Sequence, residues 1–436
     1  MYTSTLNTNQ PVIDWVPIGY DMSDYNILLA TDINYLPYSF VTCQSVLDSL
    51  KAHHPSSHSN NCSDNKNTRT ADRIIFHIVV DETVNTEELS KKAEAFQIRN
   101  EHIIDVLFII KQIDSSTFKG APKLNDALSS YYRIVIDRLI PRDIPTVLYL
   151  DCDLIVRHDI RDLFNQTDLR DKVLAACVDY RIDEQNSLNN CRPLPSKNKN
   201  HKDLYISNKN HFNAGVLLIN MHEWRKQDIE RKCFDLLKTH APLLHDQDLL
   251  NYLIQDPVLL NTTWNFTSFY YVLGYDESTH DFSLIPPSFG SSLTKKIFNI
   301  VPSVSDFVSM AKDPAICHFT LIKPWADQNN LRYYFRALPS VTGLYAMHQQ
   351  WHQTAQNVVE FKDELLKVCS YDYSLNNLGL NILNNQIINI QANLNHLQRR
   401  QKRDKRALTI AIYILAALQL ITIFLIYIYI YISTNS

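Results

Sequence analysis

The chain has 436 residues, 45% hydrophobic and 20% charged, with a formal net charge of −4. That length fits two or three domains, or one large α/β domain with appendages. The near-neutral charge argues against nucleic acid as the main partner, so any basic feature is local. Eight cysteines stand at 43, 62, 152, 177, 191, 233, 317 and 369 with no CxxC pair, which argues against a structural zinc site. The start "MYTSTLNTNQPVIDW" lacks a basic stretch followed by an apolar core, so the thiols are expected to be reduced, in a cytosolic domain.

Residues 1–24 read as an irregular arm. "YNILLATD" (Tyr25–Asp32) is a short apolar run closing on a carboxylate, the pattern of a buried parallel strand. "SFVTCQSVLDSL" follows with helical spacing, and the polar run His53–Thr70 reads as a loop with solvated histidines. "RIIFHIVVD" and "DVLFIIKQID" predict two more strands, with the helix "NTEELSKKAEAF" between them. "ALSSYYRIVIDRLIP" predicts a helix that Pro141 ends, and "TVLYLDCDLIV" (Thr146–Val156) a fourth strand. "DKVLAACVDYR" is a further strand, "HFNAGVLLINMHEWRKQDI" a strand leading into a helix, and "LHDQDLLNYLI" a helix. "AICHFTLIKPWAD" predicts a late strand and loop, and residues 340–370 look helical. The alternation predicts an α/β fold with a mostly parallel sheet and helices on both faces. Ligands of such folds bind beyond the carboxyl ends of the strands, where Asp32, Asp81 and Asp151 all fall.

The C-terminal part has a different character. Leu380, Leu383, Ile387, Ile390, Leu394 and Leu397 form an apolar seam at heptad spacing within residues 374–398. It suits either a coiled-coil homodimer or packing against the protein's own body. "RRQKRDKR" (399–406) holds six basic residues in eight. It reads as a flank that halts membrane transfer or as a contact for anionic lipid head groups. Residues 407–432 carry no charge over 26 positions, a helix of about 39 Å that would span a bilayer. The positive-inside rule puts the basic flank and the main body in the cytoplasm.

Within the fourth strand, Asp151 and Asp153 interrupt an apolar run. Alternate strand positions share a face, so the pair offers a hard oxygen site for Mn2+ or Mg2+. Two enzyme classes place such a pair after an apolar strand: phosphohydrolases with an aspartyl nucleophile, and nucleotide-sugar glycosyltransferases. In the former it usually opens the first strand, whereas here it closes the fourth, without a matching downstream lysine and acidic pair.

Five ordered blocks then resemble glycosyltransferase family 8, the retaining galactosyl- and glucosyltransferases that include bacterial lipopolysaccharide enzymes and glycogenin. The blocks are "LLATDINYLPYS", "YYRIVIDRLIP" with "VLYLDCDLIV", "FNAGVLLINMHEWR", "HDQDLLN" and "HFTLIKPW". The resemblance covers about residues 25–330, which would form a catalytic domain of the glycosyltransferase A type, followed by a helical extension (331–373). It implies that Ala30, Asp32, Asn34 and Tyr35 hold the uridine. It also implies that Asp151, Asp153 and His318 ligate Mn2+ and that Lys323 meets the diphosphate. Arg133, Asp179, Asn213, Asp246 and Gln247 would line the donor-sugar pocket, with Gln247 nearest the anomeric carbon. Gln is a poor nucleophile for double displacement. The expectation is therefore front-face attack with the leaving diphosphate taking the acceptor's proton, Asp246 being the nearest carboxylate alternative.

The resemblance has one departure. The family's closing block has Gly three and Lys six residues after its His. Here Leu321 is three after His318 and Lys323 only five after. The expected activity is transfer of galactose or glucose from a UDP-sugar to a glycolipid or oligosaccharide, such as a lipopolysaccharide core, at the cytoplasmic face of a bacterial inner membrane. A metal-dependent phosphohydrolase and an inactive membrane scaffold on a sugar-nucleotide fold are the alternatives. Asp32 and Asp179 also fit as helix caps, and Trp224 and Trp325 as packing residues.

Overall fold

A computed structural model of the chain describes residues 24–52, 72–123, 127–179, 191–198, 200, 202–208, 210–268, 273–276, 281–284, 310–320, 323–326 and 342–369. The chain divides into two compact units, Met1–Ser370 and Tyr371–Ser436. The N-terminal arm up to residue 23, the polar loop, the heptad seam, the basic run and the apolar stretch 407–432 lie outside the described residues. Among the described residues, no helix is long and apolar enough to cross a membrane.

The strands are β1 (Asp24–Ala30), β2 (Arg73–Asp81), β3 (Asp105–Ile113), β4 (Thr146–Leu150), β5 (Leu154–Val156), β6 (Leu174–Val178), β7 (Cys191–Leu194), β8 (Leu204–Ser207), β9 (Phe212–Asn220), β10 (Val258–Leu259), β11 (Phe266–Thr267), β12 (Leu273–Asp276), β13 (Asp281–Leu284) and β14 (Ile316–His318). The main sheet has the order β10-β6-β9-β4-β1-β2-β3, and a small sheet the order β11-β14-β5. The strands β7 and β8, and β12 and β13, pair as antiparallel ribbons. In the main sheet only β9 runs against its neighbours, β4 and β6. The central strands are continuous apolar runs because both faces are covered. Phe108 meets Phe76 of the neighbouring strand and Phe40 and Phe96 of the helices Leu36–Ala52 and Thr86–Asn100. Leu28, Ala30, Val79 and Tyr149 belong to a core cluster with residues of the helices Ile229–Thr239 and His245–Leu253.

Local sequence explains the helix starts. The Asn85 side chain accepts from Glu87 N and Glu88 N at 3.0 and 3.1 Å, a cap that stabilises the helix by about 1 kcal/mol. Asp32 Oδ1 accepts from Asn34 N at 2.9 Å and Tyr35 N at 3.2 Å, so Asp32 does organise the turn before its helix. Cys43, Cys152, Cys177, Cys233 and Cys317 are buried free thiols.

Two elements differ from the sequence reading. The stretch read as a helix from Ala127 to Pro141 is a 3-10 helix over Ser129–Val135 with one α-turn, Ile136–Leu139. Within it the Arg133 side chain turns inward to bond Ala214 O and Asp151. The reading of Thr146–Val156 as one strand is also corrected: it breaks at Asp151–Cys152–Asp153 into β4 and β5, which lie in different sheets. Two carboxylates, Asp153 buried and Asp151 half-buried, cannot continue a fully covered strand without compensation. The break is held from below by the Thr42 hydroxyl, 3.2 Å from Cys152 O and 3.3 Å from Leu154 O.

Candidate active site

The site lies at the carboxyl edge of β4, β1 and β2. Asp151 follows β4 directly, Asp32 stands two residues after β1, and Asp81 ends β2. Because β9 is antiparallel, its first residues, not its last, reach this edge: Asp151 N donates to Gly215 O at 2.9 Å. The small sheet supplies the third wall. β14 pairs antiparallel with β5, with His318 opposite Leu154, so a residue 165 positions after Asp153 arrives beside it.

Asp151, Asp153 and His318 each offer a ligand atom, all within 4.8 Å of one another. His318 Nε2 is 3.2 Å from Asp153 Oδ1 and 3.6 Å from Asp151 Oδ2. Two carboxylate oxygens and one imidazole nitrogen suit a divalent ion such as Mn2+. Room for it depends on Gly215, where an added β-carbon would lie 2.7 Å from Asp151 Oδ2 and closer still to His318 Cε1. The donor set and this cradle fit a metal site.

The remaining expected residues fall into two groups. Ala30, Asp32, Asn34, Tyr35, Arg133 and Lys323 line one cleft with Asp151 and Asp153. Asp179, Asn213, Asp246 and Gln247 are buried beside it in a connected layer. Gln247 Nε2 donates to Asp179 Oδ2 at 2.9 Å, while its Oε1 accepts from Ala214 N at 3.1 Å and Asn213 Nδ2 at 3.3 Å. Asp179 therefore holds Gln247; the residues directly after it, where a helix it could cap would start, lie outside the described residues. Trp325 stacks on Tyr38 with ring centroids 3.9 Å apart, and Trp224 is fully buried; both are packing residues.

Charges at the site are paired. Arg133 Nη2 meets Asp151 Oδ1 at 2.7 Å, and its Nε meets Asp246 Oδ2 at 3.0 Å. The two carboxylates outweigh the cost of burying the guanidinium and raise its pKa further. Burial pushes Asp246 up to about 7, with Arg133 opposing the shift. Burial also acts on Asp153, but the Lys323 ammonium and then His318 outweigh it and hold that carboxyl well below its usual range. Lys323 bonds Asp153 Oδ2, so the loop with one residue fewer still carries its lysine to the aspartates.

The sequence reading did not single out several residues that build the site. Gly215 is one; a glycine inside a bulky strand, in a chain with seven glycines, marks a close approach. Asn265 is another, and nothing in "TTWNFT" distinguishes it. Tyr149, whose hydroxyl donates to Asp151 Oδ1 at 2.8 Å, looked like an ordinary core aromatic. Ser129 donates to Asp32 Oδ2 at 3.0 Å and Tyr132 to Asp81 Oδ2 at 2.9 Å.

A mostly parallel α/β sheet with an acidic, metal-competent cleft at the carboxyl edge of its central strands suits a nucleotide-binding enzyme. Residues 26–329 match the model of glycosyl transferase family 8, and the chain belongs to that family. It is 26% identical over 247 residues to a lipopolysaccharide 1,2-glucosyltransferase of Escherichia coli, covering 55% of this chain and 61% of that one. It is 30% identical over 161 residues to general stress protein A of Bacillus subtilis, covering 35% and 51%. The chain thus spans about half to three fifths of the length of these relatives. The solved apo structure of the bifunctional glycosyltransferase WbbM shares the fold, with a TM-score of 0.51 at 15% identity, covering 81% of this chain and 52% of that one.

Proposed function

We propose that the protein is a retaining hexosyltransferase that moves galactose or glucose from a UDP-sugar to a glycan, with Mn2+, or Mg2+ in its place, held by Asp151, Asp153 and His318. The observation that carries this reading is the meeting of those three side chains beside a cleft lined by Asp32, Asn34 and Tyr35. Bound there, the ion supplies positive charge against the donor's diphosphate.

The chain's own groups do the rest. Ala30, Asp32, Asn34 and Tyr35 orient the uridine. Lys323, which bonds Asp153 and lines the cleft, would stabilise the charge of the diphosphate as it departs. Arg133 ties Asp151 to Asp246 and so holds the metal side and the sugar side of the cleft in one register. Gln247 is engaged at both ends of its amide, and Asp246 is tied to Arg133, so neither is presented as a nucleophile. This favours front-face attack, in which the acceptor oxygen bonds the anomeric carbon as the bond to UDP breaks and the acceptor's proton passes to a diphosphate oxygen.

The acceptor we propose is a lipid-linked oligosaccharide such as a lipopolysaccharide core, in keeping with the Escherichia coli relative. The apolar stretch 407–432 would anchor the chain, with its catalytic unit at the cytoplasmic face of a bacterial inner membrane. The seam 380–397 would serve a homodimer.

A donor screen tests the reading. Membranes carrying the protein should release UDP from UDP-galactose or UDP-glucose in a Mn2+-dependent way, label an extracted glycolipid, and lose both activities in Asp153→Asn. Undiminished turnover in that variant would remove the metal assignment, and phosphate release from simple esters would remove the transferase assignment.

A further inference from the structure

We infer that Asn265 is the positioning residue that presents His318 to a divalent cation, by fixing which ring nitrogen of His318 carries the proton. The argument is one of hydrogen-bond direction. Two backbone N–H groups set it, since an N–H can only donate. Gly215 N donates to Asn213 Oδ1 at 3.0 Å, and Ala214 N donates to Gln247 Oε1 at 3.1 Å. Those bonds identify the oxygen end of each side-chain amide, an assignment that amide geometry alone does not give.

The remaining bonds then follow in one direction. Asn265 Nδ2 donates to Asn213 Oδ1 at 2.8 Å, so the oxygen of Asn265 is the end that faces His318. That oxygen lies 2.9 Å from His318 Nδ1 and can only accept. His318 Nδ1 must therefore bear the hydrogen, and in the neutral ring Nε2 is left with its lone pair. Nε2 is the atom that faces Asp153 and Asp151. Donations run from His318 through Asn265, Asn213 and Gln247 to Asp179, an acceptor that ends the series.

The competing arrangement shows why this matters. Without an acceptor at Nδ1, the neutral ring would gain most by placing its hydrogen on Nε2 and donating to Asp153. That atom would then be blocked as a ligand, and a cation would have to displace a proton bonded to a carboxylate. Metal-bound histidines generally donate their second nitrogen to such a partner, and loss of the partner costs 10- to 100-fold in affinity. Asn265 is positioned for the task by two local features. Asn261 Oδ1 accepts from Thr263 N at 3.0 Å and starts the turn Thr262–Asn265. The next strand, β11, then pairs in parallel with β14, Thr267 opposite His318. Asn265 is buried and does not line the cleft, so it acts through His318.

The inference rests on the metal reading of Asp151, Asp153 and His318. The test uses the full chain, titrated calorimetrically with Mn2+ alone, and the 15N spectrum of the neutral His318 ring in the metal-free protein. Asn265→Ala should weaken Mn2+ at least 10-fold and move the hydrogen from Nδ1 to Nε2. Asn265→Asp keeps an acceptor for Nδ1–H but loses the donor to Asn213 Oδ1, and should keep the hydrogen on Nδ1 with a Mn2+ affinity above that of Asn265→Ala. An Asn265→Ala protein with parental Mn2+ affinity, or with the hydrogen still on Nδ1, would overturn the inference. If that variant does not fold, a hydrogen moved to Nε2 in Asn265→Asp overturns it instead. Parental affinity in Asp153→Asn would sink the metal reading itself, a result distinct from failure of Asn265 alone.

Discussion

Gly215 and His318 are packed so closely that no side chain can stand between them. A β-carbon at position 215 would lie 2.8 Å from His318 Nδ1 and 2.7 Å from Asp151 Oδ2. The neighbours are the side chains of His318 and Asp151, each held by its own hydrogen bonds to Asn265 and to Arg133 and Tyr149, so neither yields cheaply. Gly215→Ala should leave the fold intact but reduce Mn2+ affinity by at least 10-fold and turnover by about 100-fold, on the scale of a misplaced reacting group. Calorimetry and a UDP-release assay measure the two; a normal Mn2+ isotherm would contradict the close approach.

Lys323 contacts Asp153 in the free enzyme, where it competes for the same carboxylate as a metal ion. Lys323→Ala should therefore bind Mn2+ alone as well as or better than the parent, while turnover of a UDP-sugar falls about 100-fold through loss of one charged donor. Parallel loss of metal and donor binding would show that Lys323 organises the ligands instead.

Gln247 accepts two hydrogen bonds at Oε1 and gives one to Asp179. Gln247→Glu would set a second buried carboxylate against Asp179, and the unpaired acceptors should cost roughly 1–3 kcal/mol of stability. Gln247→Ala should lower kcat by about 100-fold with a smaller change in KM, if the amide acts close to the anomeric carbon. Urea melts and steady-state kinetics separate these effects, and near-parental kcat in Gln247→Ala would remove Gln247 from the transition state.

His77 gives a pH signature unrelated to the cleft. Burial and then Lys111 push its pKa down to about 4, while Nε2 lies 2.9 Å from Asn26 Oδ1. A group depressed in the fold contributes stability that is complete above its unfolded value, about 6.5, and is lost as pH falls through about 4. The loss should be about 3 kcal/mol across that window. His77→Gln keeps a donor for Asn26 without a titrating ring and should flatten the slope; an unchanged slope would assign it to other groups.

The strands were legible because β1 and β2 are covered on both faces and so read as unbroken apolar runs. The break after β4 was not, because Leu154–Val156 is as apolar as the strand before it and only tertiary pairing with β14 sends it to another sheet. The 3-10 winding around Arg133 was hidden as well, because the residue spacing there is helical. The cleft residues came from ordered motifs, which mark groups that meet a substrate. The Asn265 side chain bonds other side chains and leaves no chemical signal in a single sequence, whereas Gly215, which acts by lacking a side chain, shows itself only as a glycine among bulky strand residues.

The small sheet that brings His318 to the aspartates draws its strands from residues 154–156, 266–267 and 316–318. Its closure has consequences for biosynthesis. A ribosome that has made the first 300 residues has released both aspartates, the arginine and the glutamine, but not the imidazole that completes their constellation. Pairings of such long sequence separation form late, because loop entropy must be overcome first. Competence for the donor should thus appear all at once near the end of folding, and a chain truncated before Ile316 should carry most of the fold with no third ligand.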